Sequence, residues 1–590
     1  MKFVLAASLA ATALLSGLLG PASATGAESP GPWSLPGKTI SSADSQGTSR
    51  PEIAVGGNGD VVSIWRSLDG SHDRVQAAIR RPGKDFGAAV NLSPAGFDSG
   101  QQAVAVGPDG TAIAAWSLYR ADDSLIQVAI RPAGGTFGSP VSLSAPGGHA
   151  RDPQVAIGPD GSARVVWARA GQESYVVQVA ERPSPDDSSA PSFQTPFDLS
   201  DGDFDATNPQ ISIAGNRDAV VVWQASDGTD SAVQAATYAA QYGWIDMSDV
   251  SSWSGSAEDP VVVAGADGAE TVAWRDSALG KGVVFASVRT ADGGLGFGTP
   301  VALSESDTDS FEPEIAADPD GRVTVVWDDY DGTNSHVMEA TREPGQGFGP
   351  SEQLSPVEGH TTGPSVAFGS DGSTMVAWSR NPGGVGYAVQ TLTRSPGGDF
   401  DAPVNLTPPS GSADSQVIAI GPAGVATAVW RYSDGRGFQK IQAAMTEVTT
   451  PADPLTPDPP VDPDPPITPV TPVTPAGKAS LEIKKTTPRR LRLKKGGKVK
   501  VRVQARNGGD ATALGVRICI SGPKNLKRIL KYQGPRCRPV GALAPDTVGA
   551  ATVRIRATAR IRKGRTYVLR VKVTAEGVAA ATRQLRVRGS

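Results

Sequence analysis

The sequence predicts an all-β protein: an eight-bladed β-propeller, a proline-rich linker and a small β-sandwich. The first observation is a tryptophan that recurs at Trp65, Trp116, Trp167, Trp223, Trp274, Trp327, Trp378 and Trp430, at separations of 51, 51, 56, 51, 53, 51 and 52 residues. The second is a glycine six residues before nearly every one (Gly59, Gly110, Gly161, Gly268, Gly321, Gly372, Gly424), with Arg217 in that place in the fourth copy. The third is four short strand patterns inside each copy, with no stretch of helical period. Self-similarity at a fixed period of about fifty residues, with four strands in each, is the signature of a propeller blade.

The strands follow in order within one copy. The first is of the type PQVAIG (153–158), and Pro159-Asp160-Gly161 then favours a tight hairpin. The second ends in the tryptophan, as in ARVVW (163–167). A polar loop leads to the third, YVVQVAERP (175–183), and a glycine-rich turn such as PAGGTFG (132–138) leads to the fourth, PVSLS (140–144). Apolar residues at successive positions (Val155, Ala156, Ile157; Val165, Val166, Trp167) fit a sheet packed on both faces. A second marker lies eleven or twelve residues after each tryptophan. It is Gln76, Gln127, Gln178, Gln234, Gln390 or Gln442 in six copies, and Phe285 and Met338 in the other two.

The eighth copy stops after its third strand, IQAAMTEV (441–448). The missing fourth strand has a counterpart at the other end, where residues 33–41 (WSLPGKTIS) resemble TFGSPVSLS (136–144). Residues 33–41 are therefore expected to pair with the last blade and close the ring over 33–448.

Residues 1–24 read as a secretory signal peptide: Lys2, an apolar run from Phe3 to Leu19, and Ala22-Ser23-Ala24 as a small-residue cleavage site. No later apolar run reaches about 18 residues, so no membrane span is expected. The mature protein is expected to be secreted and extracellular, in contact with the cell wall. In such an oxidising compartment Cys519 and Cys537, the two cysteines of the chain, are expected to form a disulfide.

From Thr449 to Gly477 a proline stands at every second or third position, which favours a polyproline II spacer. Residues 478–590 alternate in KVKVRVQAR (498–506), VRICIS (516–521), ATVRIRATA (551–559), TYVLRVKVTA (566–575) and TRQLRVRG (582–589), the pattern of half-buried strands, with Asn507-Gly508-Gly509-Asp510 as a turn. They hold 30 Lys and Arg against 4 Asp and Glu, a net of +26, leaving 25 against 56, a net of −31, for residues 1–477. An acidic body and a basic tail point to an anionic partner for the tail. The strand spacing with NGGDATALGVRI (507–518) resembles the immunoglobulin-like domains of bacterial surface proteins, including the cell-adhesion-related (CARDB-type) family. The chain thus resembles a secreted bacterial propeller repeat protein with such a domain. The resemblance implies an attachment or spacer module without catalysis.

Chemistry is sparsely marked. The four histidines, His72, His149, His336 and His360, have no metal-ligand pairing, and neither HExxH nor G-x-S-x-G is present. Asp201, Asp203 and Asp205 have the D-x-D-x-D spacing of a calcium loop, but Ala206 and Ser212 replace the glycine and glutamate of a full one. Calcium is thus the one metal the sequence admits, and no other cofactor is expected. Nucleic acid is not an expected partner, because the tail has only Tyr532 and Tyr567 for stacking.

The turns before the tryptophans recur almost unchanged, whereas the loops after them differ, and varied loops on a rigid scaffold are where binding sits. The candidate ligand residues there are Arg66, Arg275, Asp328, Asp329, Tyr330 and Arg431. The function expected is that of a non-enzymatic binding or scaffold protein, without catalytic residues. Its propeller presents a ligand surface, and its basic domain meets an anionic wall polymer or an extracellular glycan. The alternative is a glycan-active enzyme, a sialidase-like hydrolase or polysaccharide lyase with a site at the propeller channel mouth, where these candidates are expected, since the ring of repeats loosely resembles sugar-processing propellers. The S-x-D-x-G-x-T-W turn of sialidases is absent.

Overall fold

A computed structural model describes residues 32–446 and 480–589, apart from short loops of which the longest are 186–191, 291–295, 522–529 and 558–565. The expected signal peptide (1–24) and the linker (449–477) lie outside the described residues. The chain divides into two compact units, Met1–Pro454 and Leu455–Ser590. All described regular structure is β-strand.

In the first unit the described residues form eight four-stranded antiparallel sheets. Seven take their strands in chain order, as in Thr48–Val55, Val61–Leu68, Asp73–Arg80 and Val90–Asn91. The eighth is built from Ser412–Ile420, Ala426–Ser433 and Lys440–Met445, with Lys38–Thr39 as its fourth strand. Lys38 pairs with Ala443 and Thr39 with Gln442, while Ser34 N donates to Met445 O at 2.7 Å and Ile40 N to Ile441 O at 2.9 Å. Inner strands of consecutive sheets touch all the way round, and Ser412–Ile420 touches Thr48–Val55, so the ring is closed. Outer strands are mostly only two residues long, shorter than the five-residue pattern expected; the exception is Gly243–Asp249.

Eight apolar clusters lie at the eight junctions between blades. The second strand supplies both sides of its blade, because alternate residues point to opposite faces. Val62 and Ile64 pack towards the following blade with Trp116, whereas Val61 and Trp65 pack towards the preceding one with Val417 and Val429. Each tryptophan is a wedge driven into the blade before it, and all eight are 1% exposed or less. The second marker is its cross-strand partner, as in Trp167 opposite Gln178. Trp65, Trp167, Trp223, Trp378 and Trp430 donate from the indole Nε1 to that glutamine's Oε1 at 3.1–3.3 Å. In four of these blades the glutamine Nε2 donates onward to Asn91, Asp198, Asp249 or Asn405 on the outer strand. Trp274 stacks on Phe285 instead, with ring centroids 6.0 Å apart.

The hairpin glycine six residues before the tryptophan has positive φ, from 72° at Gly424 to 92° at Gly321. Arg217 takes the same left-handed conformation at φ 69°, a costly one for a side chain, and its Nη1 lies 3.3 Å from Asp160 Oδ2 of the preceding blade.

The second unit holds a four-stranded sheet (Leu481–Thr487, Lys498–Asn507, Val548–Ala557, Leu530–Gln533) and a five-stranded one (Arg490–Leu493, Val578–Gly589, Thr566–Ala575, Ala513–Ser521, Cys537–Leu543). Val501, Val503, Ile518, Ile520, Val571, Leu585 and Val587 are buried at alternate positions, as the period of two requires. Four of the nine strands are additions to the sequence reading. Asn507 is not in a turn: it ends a strand and is buried, where its Nδ2 donates to Leu543 O at 2.9 Å.

Two outcomes are expected. Gln178→Leu strands a buried indole N–H and costs about 1–3 kcal/mol, read as a lower midpoint in urea unfolding. Deleting residues 33–41 opens the edge of the last sheet and lowers the calorimetric Tm of the full chain; an unchanged Tm would show that the ring does not depend on this strand.

Candidate functional site at the propeller axis

The inner strand of every blade carries a bulge directly opposite the tryptophan. In the first blade Ser49 pairs with Arg66 and Glu52 with Ile64, so Arg50 and Pro51 together oppose Trp65. The same register shift occurs in the other seven. The first bulge residue lies fifteen positions before its tryptophan: Arg50, Gln101, Asp152, Asn208, Asp259, Glu312, Gly363 and Ser415. All eight have positive φ between 49° and 63° and are half-buried. The second bulge residue is buried, and it is proline except at Gln102 and Gln416. Proline suits the place because a bulged residue leaves the ladder and needs no N–H. The two glutamines tie blades together: Gln102 Nε2 donates to Arg50 O, and Gln416 Nε2 to Gly363 O.

A cavity of about 60 Å³ lies among the bulges of four blades. It is lined by Arg50, Pro51 and Glu52 of the first, Glu312 and Glu314 of the sixth, Gly363 and Pro364 of the seventh, and Ser415, Gln416 and Val417 of the eighth. Burial pushes the Glu314 carboxyl well above the usual carboxylate range, and the charges of Glu52 and Glu312 push the same way. Burial also raises Glu312. Asp259 is pushed up to about 6, first by burial and then by Glu258. Arg50 acts on Asp152 of the third blade, which it lowers against a larger rise from burial.

Most of the residues singled out in the loops have partners within the scaffold. Asp328 and Asp329 are 5% and 9% exposed, so they do not stand at an open mouth. Asp328 accepts from Gly363 N at 2.8 Å and Thr361 Oγ1 at 3.3 Å, both on the next blade. Asp329 accepts from Thr308 Oγ1 at 2.8 Å and Ser310 Oγ at 2.6 Å. Arg275 reaches to the next blade, donating to Ser310 O at 2.7 Å and Asp309 Oδ1 at 3.1 Å, and it also pairs with Glu258. Arg431 pairs with Asp414 of its own blade, and Arg66 with Ser49 and Asp73. Tyr330 is exposed, with its hydroxyl donating to Gly332 O at 2.9 Å. Of the charged residues that follow a tryptophan, Arg275 and Asp328 tie their blade to the next, whereas Arg66 and Arg431 are held within their own blades.

The calcium spacing does not close into a chelate. Among the described residues no group of three or more His, Cys, Asp or Glu side chains could hold a metal ion. Asp205 opens a strand and accepts from Tyr175 N at 2.7 Å, and Asp201 accepts from Asp203 N at 3.4 Å. Asp201 and Asp203 lie in the turn that precedes that strand. Cys519 and Cys537 stand directly opposite each other on adjacent antiparallel strands.

The bulge residues were the part of the site that loop variation did not reveal. Their signal is present in the sequence: a residue that is polar in seven copies and glycine (Gly363) in one, before proline or glutamine, at a constant distance from each tryptophan.

No family model matches the chain, and no curated protein matches it. Among solved structures it is similar to a protein of unknown function from Dyadobacter fermentans, with 11% identity over 70% of this chain and 98% of that one, at TM-score 0.35. It is similar to a polysaccharide lyase of the ulvan lyase family PL25, with 9% identity over 56% and 89%, at TM-score 0.38. It is also similar to the NanB sialidase of Streptococcus pneumoniae, with 11% identity over 71% of each chain, at TM-score 0.34.

Asp328 supplies a pH test. Burial, aided by Glu312, pushes it up to about 8 against an ordinary 3.8. Between those limits the folded protein binds more protons than the unfolded chain, so this group's contribution to stability falls as pH rises through them. Asp328→Asn is expected to flatten the decline of Tm between about pH 5 and pH 8. An unchanged slope in a thermal-melt series would show that Asp328 is ionised throughout.

Proposed function

We propose that the chain is an exported binding protein whose propeller holds an extracellular glycan at the axial bulges and whose basic unit rests on anionic wall polymer. The observation that carries the first part is the set of half-buried bulge residues, polar in seven of the eight blades, with those of four blades lining a cavity. Side chains held in place by packing but still reachable are what ligand recognition uses. Neighbouring bulges offer donors and acceptors at short range: Tyr119 OH and Ser117 Oγ donate to Gln101 Oε1 at 2.9 and 3.0 Å, and Gln101 Nε2 donates to Asp152.

The basic unit supports the second part by its register. Lys498 is paired with Arg556, Lys500 with Arg554, Arg490 with Arg586 and Arg492 with Arg588. A unit so rich in cations draws a polyanion to its surface. Arg502, Arg556, Lys572, Arg583 and Arg588 are exposed. On this reading residues 1–24 direct export, residues 449–477 act as a spacer, residues 478–590 form an immunoglobulin-like attachment domain of the cell-adhesion-related type, and Cys519 and Cys537 are bonded.

A glycan-active enzyme is the second reading, and one observation favours it. Glu314 is raised well above its usual range beside Glu52 and Glu312, and a buried carboxylic acid next to further carboxyl groups is the arrangement that glycoside hydrolysis uses.

Three outcomes are expected. A glycan array with the full chain gives specific binding, with no new reducing ends or unsaturated products; turnover abolished by Glu314→Gln would establish the second reading instead. Binding to purified wall polymer weakens about tenfold or more from low to physiological salt, and binding insensitive to salt would remove the electrostatic role of the tail. Alkylation of the denatured protein labels no thiol until a reductant is added.

A further inference from the structure

We infer that the axial cavity is a socket for the primary ammonium group of an amino sugar, so that the glycan of the proposed function is one with free amines. The inference rests on the glycan reading and deepens it.

Size comes first. About 60 Å³ admits a few water-sized groups but no pyranose ring. Only a pendant group of the ligand enters; the sugar stays among the bulge residues outside.

Charge decides which group that is. Glu52, Glu312 and Glu314 line the cavity together. Glu314 is 6% exposed, and among the described residues neither Glu314 nor Glu312 has a hydrogen-bond or ion-pair partner. A buried carboxyl group without a partner is costly, so one that faces a cavity points to an occupant that supplies donors and positive charge. Arg50, the one cation lining the cavity, lowers Asp152 and Tyr119 but is not among the groups acting on Glu312 or Glu314. Within the scaffold the nearby arginines are spoken for, Arg275 by Glu258 and Asp309, and Arg431 by Asp414.

Donor geometry completes the choice. An ammonium group has three donors on one small head, and the carboxyls of Glu312 and Glu314 on the sixth blade can receive them. A planar guanidinium needs a wider slot, and a sugar hydroxyl brings no charge to the buried acids. Gln416 adds a fixed wall: its Nε2 is bound to Gly363 O, and its Oε1 accepts from Ser379 Oγ at 2.5 Å.

The test is calorimetric titration of the full chain with a glucosamine hexamer and with the same hexamer fully N-acetylated. The free-amine oligomer is expected to bind at least about tenfold more tightly, a difference of about 1.4 kcal/mol. Glu314→Gln, which keeps the shape, should bring the two within about twofold. If that variant is unfolded by circular dichroism, Glu312→Gln makes the same test. Equal binding of the two oligomers by the wild type overturns the ammonium socket and leaves the glycan reading standing. Binding of other glycans but of neither hexamer does the same. Failure of every glycan on the array removes the glycan reading itself, and binding of a lysine-rich peptide in place of the amino sugar overturns the assignment to a sugar.

Discussion

The structure depends on one steric constraint: a tryptophan on the second strand must be accommodated by the inner strand of its own blade while it packs against the blade before. The inner strand answers with a bulge of two residues opposite each indole. The bulge absorbs the extra residue and turns the strand, so a packing demand at the junction reshapes the backbone at the axis. Eight repeats of one local solution give eight wedges, eight apolar junctions and eight bulges. Closure packs the face of the last blade against the first, so neither is left exposed.

This coupling places the polar residues at the axis. A bulge residue held at positive φ leaves the ladder and tips its side chain out of the alternation. It can therefore differ from blade to blade without disturbing the pairing: Arg50, Asp152 and Gly363 occupy equivalent positions. The residues behind them do not have this freedom. Asp328, beside Trp327, is committed to Gly363 N and Thr361 of the next blade. Variation there changes how blades are tied, and variation at the bulge changes what the axis presents. The two charge-bearing parts of the chain follow separate logics, with buried carboxyl groups in the acidic unit and register-matched cations in the basic one.

The all-β class and the blade repeat were legible because they follow from local chemistry. A hairpin needs its left-handed residue, a buried strand needs apolar side chains on both faces, and a wedge needs its indole at a constant position. The glutamine marker was legible as a pattern but not as a cause; its meaning is the hydrogen bond from Trp167 Nε1 to Gln178 Oε1. The candidate site was legible only in part. Loop variation pointed to the face after the tryptophans, and Tyr330 is exposed there. It also selected Arg275 and Asp328, whose polarity serves the junctions.

Local periodicity was enough to write the repeat, its strands and the contrast between an acidic body and a basic tail, because each depends on residues near in sequence. It could not say which polar residues are free to meet a ligand, since that depends on the blade next door. Glu52 and Glu314 are 262 positions apart and come to one cavity only when the ring is closed. Asp201, Asp203 and Asp205 are neighbours in sequence, yet they are not among any group of three or more described side chains that could hold a metal ion. Proximity along the chain and proximity in space part company wherever closure, rather than local geometry, brings side chains together.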